Sequence, residues 1–394
     1  MDRPRRIAFL NTHPIQYFAP LYAYLNAAND LSVTALYLSD YSIRGGADRA
    51  FGREVKWDID LLAGYDARFI DGAARRGEPQ GFFSMLAPAL WGEVRAGRFD
   101  ALIVHGHTPA AVLLAVAAAR ASGTPVFTRG ETHLGLARSG LKSALRRPIM
   151  GAYYSRLAGA LAIGSANRAF YRAMGVPERR IFSAPYTVDN TRFSQAARLS
   201  ADERRQGRAA LGVDDDRPIV LFAAKFTPRK RPDDLIRAAA LLRQGGEHFH
   251  LAMVGSGEME AQLRRDASEH GLDVSFPGFV NQAALPSVYA ASDVFVLPSD
   301  NEPWGLAVNE AMCAGLPVVL SEEIGCVPDL VRDGVNGAVF RAGDVAALAD
   351  ALRPIIRDPA RRRCMGAASR EIIAHWSYAE CLDGLRAALA SVGR

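Results

Sequence analysis

Lysine is almost missing from this chain. Of its 47 basic residues only Lys56, Lys142, Lys225 and Lys230 are lysines, and the others are arginine. Cysteine is equally sparse. Cys313, Cys326, Cys364 and Cys381 all lie late in the chain and share no metal-ligand spacing, which excludes a disulfide scaffold and a zinc module and points to reduced structural thiols. No apolar run is long enough to cross a bilayer. The longest, Ala110 to Ala119, reads as a core helix. No export signal is read at the start, because Arg3, Arg5 and Arg6 precede only Ile7–Leu10 before Asn11 breaks the apolar run. A cytoplasmic protein is expected. The aromatic-and-basic strand patterns of nucleic-acid binders are also missing, so no nucleic-acid partner is expected. The net charge of +5 suits an anionic substrate or an anionic membrane surface.

What is present is a regular alternation. With 394 residues, the chain is too long for one ordinary α/β core and comfortable for two. Short apolar runs at 7–10, 32–38, 101–104, 125–128, 160–163 and 181–184 read as strands, with helical windows at 14–26 and 109–121 between them. The pattern breaks between Pro185 and Pro218. It resumes with strands at 219–222, 250–254, 274–276, 294–297, 317–320 and 338–340 and helices at 232–243, 258–269 and 345–356. Two Rossmann-like, doubly wound α/β domains facing a central cleft are the expected architecture. The expected boundaries are 1–190 and 191–377, with a last helix over 378–394 that packs back on the first domain.

Glu302 and Glu310 flank a strand-to-helix turn after the apolar strand that ends at Leu297. The first acid can bond hydroxyls over the turn and the second can bond hydroxyls two helical turns deeper. Between them Pro303 and Gly305 open a helix whose free N–H groups suit an anion. Hydroxyls at both ends with a phosphate between describe a nucleotide sugar. Two acids alone fit a capping residue and a solvent-facing helical Glu better than a ligand site. The scarce lysines shift the balance. Two of the four fall in Ala223-Ala224-Lys225-Phe226-Thr227-Pro228-Arg229-Lys230-Arg231-Pro232, just after the strand Ile219–Phe222. Compact ammonium groups at the carboxyl end of a parallel strand suit phosphate better than a surface turn requires.

These residues, with Gly255-Ser256-Gly257-Glu258, the run Phe276-Pro277-Gly278-Phe279-Val280 and the stretch Gly325 to Gly337, resemble the C-terminal half of family-four GT-B glycosyltransferases. The resemblance is dense over 215–345 and loose before that. It implies a GT-B fold and a retaining, metal-independent transfer from a nucleotide-diphosphate sugar, with no cofactor beyond that donor. It further implies that Lys225 and Lys230 bind the diphosphate, Glu302 the transferred sugar and Glu310 the ribose. The N–H groups of Gly305 and Leu306 would meet sugar or phosphate oxygens, Gly255 would admit the nucleotide, and Phe279 and Val280 would edge the base. The family is held to use a front-face route, in which the leaving phosphate helps deprotonate the acceptor and Glu302 is not the nucleophile. Two positions depart from the pattern: Lys225 stands where Arg is usual and Arg231 where Gly is usual. Simple packing roles for Gly255, as a tight turn, and for Phe279, as core, remain open.

The first half offers polar groups at its strand ends. His13 and Gln16 occupy a loop that is Gly-rich in the family, and Glu131 and His133 occupy a loop where many members place a His beside the reacting sugar. His13, Glu131 and His133 therefore stand as catalytic candidates, with a cap at the strand-to-helix turn as the plain alternative for His13. His105 and His107 suggest a metal pair but lack an evident third ligand. Arg138, Lys142, Arg146, Arg147 and Arg156, interleaved with apolar residues over 138–156, read equally as a solvated face or as a peripheral contact with anionic lipid at the inner face of the membrane. The acceptor class stays open among glycan, lipid-linked and small-molecule alcohols. Competing readings are a nucleotide-sugar epimerase, a phosphorylase on the same fold and a non-catalytic sugar-binding protein. The first wants a different acid set and the second a cofactor lysine. The third has no need of paired lysines at the turn.

Overall fold

The computed structural model describes residues 3–48, 52–106, 109–136, 141–196 and 199–393. The chain forms two compact units. The first comprises 1–47, 54–187 and 378–394, and the second comprises 48–53 and 188–377.

Among the described residues the first unit holds a seven-stranded, all-parallel sheet. In chain order its strands are β1 (Arg5–Asn11), β2 (Leu31–Tyr37), β3 (Asp66–Phe69), β4 (Ala101–His105), β5 (Val126–Arg129), β6 (Gly159–Ala162) and β7 (Ile181–Ser183). Their order across the sheet is β3-β2-β1-β4-β5-β6-β7. Most of these strands are buried on both faces, as a parallel sheet sandwiched by helices requires. The edge strand β3 differs: it is half exposed, carries Asp66 and Arg68, and shows no apolar run in the sequence. The first helix begins at Ala19 rather than at Pro14. Residues 14–18 instead make a turn in which the Phe18 N–H donates to the Ile15 carbonyl (3.0 Å), and Pro20 sits in the first helical turn.

The helix Tyr378–Ala390 packs on β6, β7 and the helix Ala19–Asn26. Its contact is close because Gly384 has no side chain. A Cβ there would lie 1.5 Å from the Ser183 carbonyl oxygen. Arg5 donates to the Leu389 carbonyl at 2.7 Å, and Arg386 pairs with Asp30.

The second unit is a six-stranded parallel sheet among the described residues: β8 (Ile219–Ala223), β9 (His250–Val254), β10 (Val274–Gly278), β11 (Val294–Leu297), β12 (Val318–Ser321) and β13 (Gly337–Phe340), in the order β10-β9-β8-β11-β12-β13. β8, β9, β11 and β12 are buried throughout. The helices Pro232–Gln244, Leu306–Cys313 and Val345–Arg357 supply apolar faces to cover them. The chain builds outward from β8 to β10, then crosses back to start again at β11. That reversal leaves a crevice at the carboxyl ends of β8 and β11, the position at which open α/β sheets take ligands. The first unit has the same reversal between β1 and β4.

Candidate active site

Lys225 lies just beyond β8. The chain then makes a single 3₁₀ turn over Pro228–Lys230, and Arg231 adopts φ 49°, ψ 46° before Pro232 opens the next helix. This is the left-handed conformation that glycine takes most readily, so Arg231 keeps the turn that the family's usual Gly would make. Its guanidinium bonds Asp234 in the first turn of that helix.

The loop after β11 is tied to both of its neighbours. The Asp300 N–H donates to the Arg229 carbonyl at 2.8 Å. The Glu302 N–H donates to the Glu323 carbonyl (3.2 Å), and the Glu302 carbonyl accepts from Gly325 (2.9 Å), both beyond β12. Glu302 is thereby fixed across the switch point from the lysine loop. Lys230 Nζ donates to Glu302 Oε2 at 2.6 Å, and Arg229 donates to the same oxygen at 2.8 Å. The Lys230 and Glu302 side chains are only 13% and 10% exposed, whereas Arg229 is 48% exposed. Burial pushes the Lys230 ammonium below the usual lysine range, and the Glu302 carboxylate opposes that shift.

Gly305 (φ 93°) caps the helix Leu306–Cys313, whose first turn leaves N–H groups without intrahelical acceptors. Glu310 lies within this helix in different surroundings from Glu302. It is 1% exposed, and Tyr289 O–H donates to its Oε2 at 2.7 Å. The structure thus brings Lys230 and Glu302 together and holds Glu310 in its own buried setting.

Gly255 follows β9 at φ 142°, and a Cβ there would lie 2.0 Å from the Ala224 carbonyl oxygen. Backbone crowding alone therefore demands glycine at this position. Phe279 and Val280, just beyond β10, are half-buried, and the Arg53 guanidinium carbon lies 5.2 Å from the centre of the Phe279 ring.

In the first unit, His13 follows β1 and His105 ends β4, on either side of that unit's switch point. His13 Nδ1 lies 2.9 Å from Thr12 Oγ1 and its Nε2 lies 3.3 Å from the Tyr41 hydroxyl. His105 stacks on Phe18 and meets the Tyr22 hydroxyl at 3.2 Å. Its pKa is pushed down to about 3, first by burial and then by the Arg129 cation, so it is a neutral packed imidazole. His107 lies outside the described residues. Among the described residues no three His, Cys, Asp or Glu side chains are grouped for a metal ion. Glu131 is exposed and accepts from the Tyr186 hydroxyl. His133 is half-buried in a loop held by Asn167, which donates to the Thr132 carbonyl at 2.7 Å.

Residues 141–155 are helical, but Arg138 and the side chains of Lys142, Arg146 and Arg147 lie outside the described residues. Among the described residues no helix is long and apolar enough to cross a membrane. Cys313, Cys326 and Cys381 are buried free thiols, and Cys364 is exposed.

Sequence reasoning assigned no role to Arg229, Tyr289, Arg129 or Tyr186. Arg229 had a visible signal, since it stands beside Lys230 in the basic turn. The other three act through contacts with distant parts of the chain.

Two family models match the chain. "Glycosyl transferases group 1" covers residues 203–372, and "Glycosyl transferase 4-like domain" covers 16–187. Among curated relatives, a D-inositol 3-phosphate glycosyltransferase of Nocardia farcinica is 34% identical over 54% of this chain and 47% of its own length. A GDP-mannose-dependent phosphatidylinositol monomannoside mannosyltransferase of Mycolicibacterium smegmatis is 36% identical over 53% of this chain and 54% of its own length. Over these matches the chain spans about half the length of the relatives. A D-inositol 3-phosphate glycosyltransferase of Streptomyces avermitilis is 28% identical over 99% of this chain and 87% of its own length. In fold, the chain is similar to Anabaena HepE crystallised with UDP-glucose, with a TM-score of 0.73 and 19% identity over 98% of this chain and 99% of that one.

Proposed function

The chain belongs to the group 1 glycosyl transferases with the GT-B fold, and on that premise we propose that it transfers a sugar from a nucleotide-diphosphate donor to an alcohol acceptor, with retention and without a metal. The observation that carries this reading is the pairing of Lys230 and Arg229 with Glu302 at the switch point between β8 and β11. It sets cations and a hydroxyl-binding carboxylate side by side where an α/β sheet presents its ligand.

In this reading Lys225, Lys230 and the helix N-terminus at Gly305 and Leu306 stabilise the charge that grows on the departing diphosphate. Those groups supply the positive charge that a metal ion supplies in other transferases. Glu302 holds hydroxyls of the transferred sugar. It makes a poor nucleophile because two cations already draw on Oε2. The leaving phosphate therefore takes the acceptor proton on the same face, which retains the anomeric configuration. Glu310 engages the ribose, its orientation set by Tyr289, and Phe279 and Val280 edge the base. The loops of the first unit that carry His13, Glu131 and His133 present the acceptor, which is a glycan, a lipid-linked alcohol or a small molecule. A cytoplasmic protein with a peripheral lipid contact through 138–156 accords with a lipid-linked acceptor.

The test is a thermal-shift panel of nucleoside diphosphates and their sugars, followed by NMR of the anomeric product. Stabilisation by one base series and a retained anomeric configuration are expected. A protein stabilised by none of them has no donor site of this kind, and an inverted product removes the front-face route.

A further inference from the structure

Arg129, the last residue of β5, is 3% exposed and has no carboxylate partner among the described residues. Its side chain reaches across β6 to the segment after β7, where it donates to the Pro185 carbonyl at 3.1 Å. Its Nε is buried without a hydrogen-bond partner. A buried cation with an unmade hydrogen bond costs free energy. An apolar residue could fill the same space at lower free energy, so packing does not account for the charge.

The charge is compensated by aromatic faces instead. The guanidinium carbon lies 5.2 Å from the centre of the Tyr186 ring and 5.6 Å from that of Phe18. Tyr186 is itself buried, and its hydroxyl donates to Oε1 of the exposed Glu131. A cation against the ring polarises the phenol and strengthens its O–H as a donor. Among the described residues the other ionisable groups coupled to this cluster include Tyr17 beside Tyr186, and His105, Tyr22, Tyr171 and Cys381 under the field of Arg129. His105 is neutral, and Arg129 is a described cation whose field acts on Tyr186.

We propose that Arg129 and Tyr186 are positioning residues for Glu131: the buried cation holds and polarises the phenol, and the phenol fixes the carboxylate where it meets the acceptor or the reacting sugar. This rests on the reading of Glu131 as a group that touches substrate. The support itself, Arg129 to Tyr186 to Glu131, stands on distances within one unit.

The experiment uses the full chain and the near-isosteric Tyr186→Phe, which keeps the ring against Arg129 and removes only the hydroxyl. Carboxyl ¹³C NMR, with the Glu131 signal assigned by Glu131→Gln, follows its titration without requiring turnover. Loss of the donor should move that titration upward by about half a pH unit or more. In transfer assays Tyr186→Phe should lower kcat about tenfold, with donor KM changed less than about twofold, and its acid limb should move with the NMR titration. In the Glu131→Gln background the same substitution should cost less than about twofold, because the two act as one unit. Arg129→Met should reproduce the titration shift and Arg129→Lys should not rescue it, since the compact ammonium does not stack like a guanidinium. An unchanged Glu131 titration in Tyr186→Phe, or effects that multiply in the double variant, overturns the proposal. If the wild type transfers no sugar while the titration still shifts, the reading of the activity has failed and the support stands.

Discussion

Lys230 Nζ and Glu302 Oε2 lie 2.6 Å apart although 72 residues separate them in the chain. They meet because β8 and β11 are neighbours in the sheet and their following loops are bonded through Asp300 and Arg229. The site therefore holds an internal anion against the lysine proposed to grip the donor diphosphate.

Glu302→Gln separates the two roles of this pair. It frees Lys230 from its carboxylate, so a nucleoside diphosphate without sugar should bind as tightly as to wild type or several-fold more tightly in calorimetry. Turnover with the complete donor should fall about 100-fold or more, the scale on which a group acting in the transition state is lost. Weaker diphosphate binding in this variant contradicts the competition between the two anions.

The lowered pKa of Lys230 fixes the direction of a pH dependence. In the proposed site a diphosphate binds the protonated ammonium and would raise its pKa, so binding would take up a proton. Affinity is full below the pKa of the free protein and declines as pH rises through it, and this decline begins below the ordinary lysine value of 10.5. Titration calorimetry of a nucleoside diphosphate in buffers of different ionisation enthalpy should detect that proton uptake. Lys230→Arg should move the decline to higher pH, because a guanidinium stays charged.

Tyr289 and Glu310 make a separate prediction. Glu310→Ala removes the proposed ribose contact and leaves the Tyr289 hydroxyl buried without its acceptor, so it should weaken nucleotide binding and destabilise the fold by about 1–3 kcal/mol. Tyr289→Phe leaves the buried Glu310 carboxylate without that donor, so it should also cost about 1–3 kcal/mol of stability but weaken nucleotide binding less than Glu310→Ala does. Denaturant unfolding and nucleotide titration on both variants separate the two effects. Equal nucleotide affinity in wild type and Glu310→Ala removes the ribose role.

Gly255→Ala tests why glycine stands there. The added Cβ would meet the Ala224 carbonyl at a backbone φ that side chains rarely adopt. A loss of about 2–5 kcal/mol is expected without any ligand present, read as a lower midpoint in urea. A stable variant that only loses nucleotide affinity shifts the explanation back to ligand approach.

The two-sheet α/β fold was legible because buried parallel strands are continuous apolar runs bounded by turns. The edge strand Asp66–Phe69 was not, since an edge exposes one side and tolerates Asp66 and Arg68. The closeness of Lys230 and Glu302 could be read from their places after two strands. The contacts of Glu310 and Arg129 could not. Tyr289 reaches Glu310 from another helix, and Arg129 meets Tyr186 from a strand two places away in the sheet. Such contacts are made by topology, and no local periodicity encodes them. Arg231 carries a third kind of information, a backbone conformation that its own residue type conceals.

The helix Tyr378–Ala390 follows the whole second unit in the chain, yet it belongs with β1, β6 and β7 of the first. Gly384 sits on β7, and Arg386 and Leu389 engage Asp30 and Arg5. During synthesis the second unit, whose residues 188–377 leave the ribosome as one contiguous stretch, can close before the first has its final helix. Until that helix is made, the first unit lacks its cover over β6 and β7. A nascent chain stalled near Ser377 would thus expose apolar surface on the unit made before 188–377, and chaperone capture of such a chain should centre on residues 159–183 rather than on its newest part.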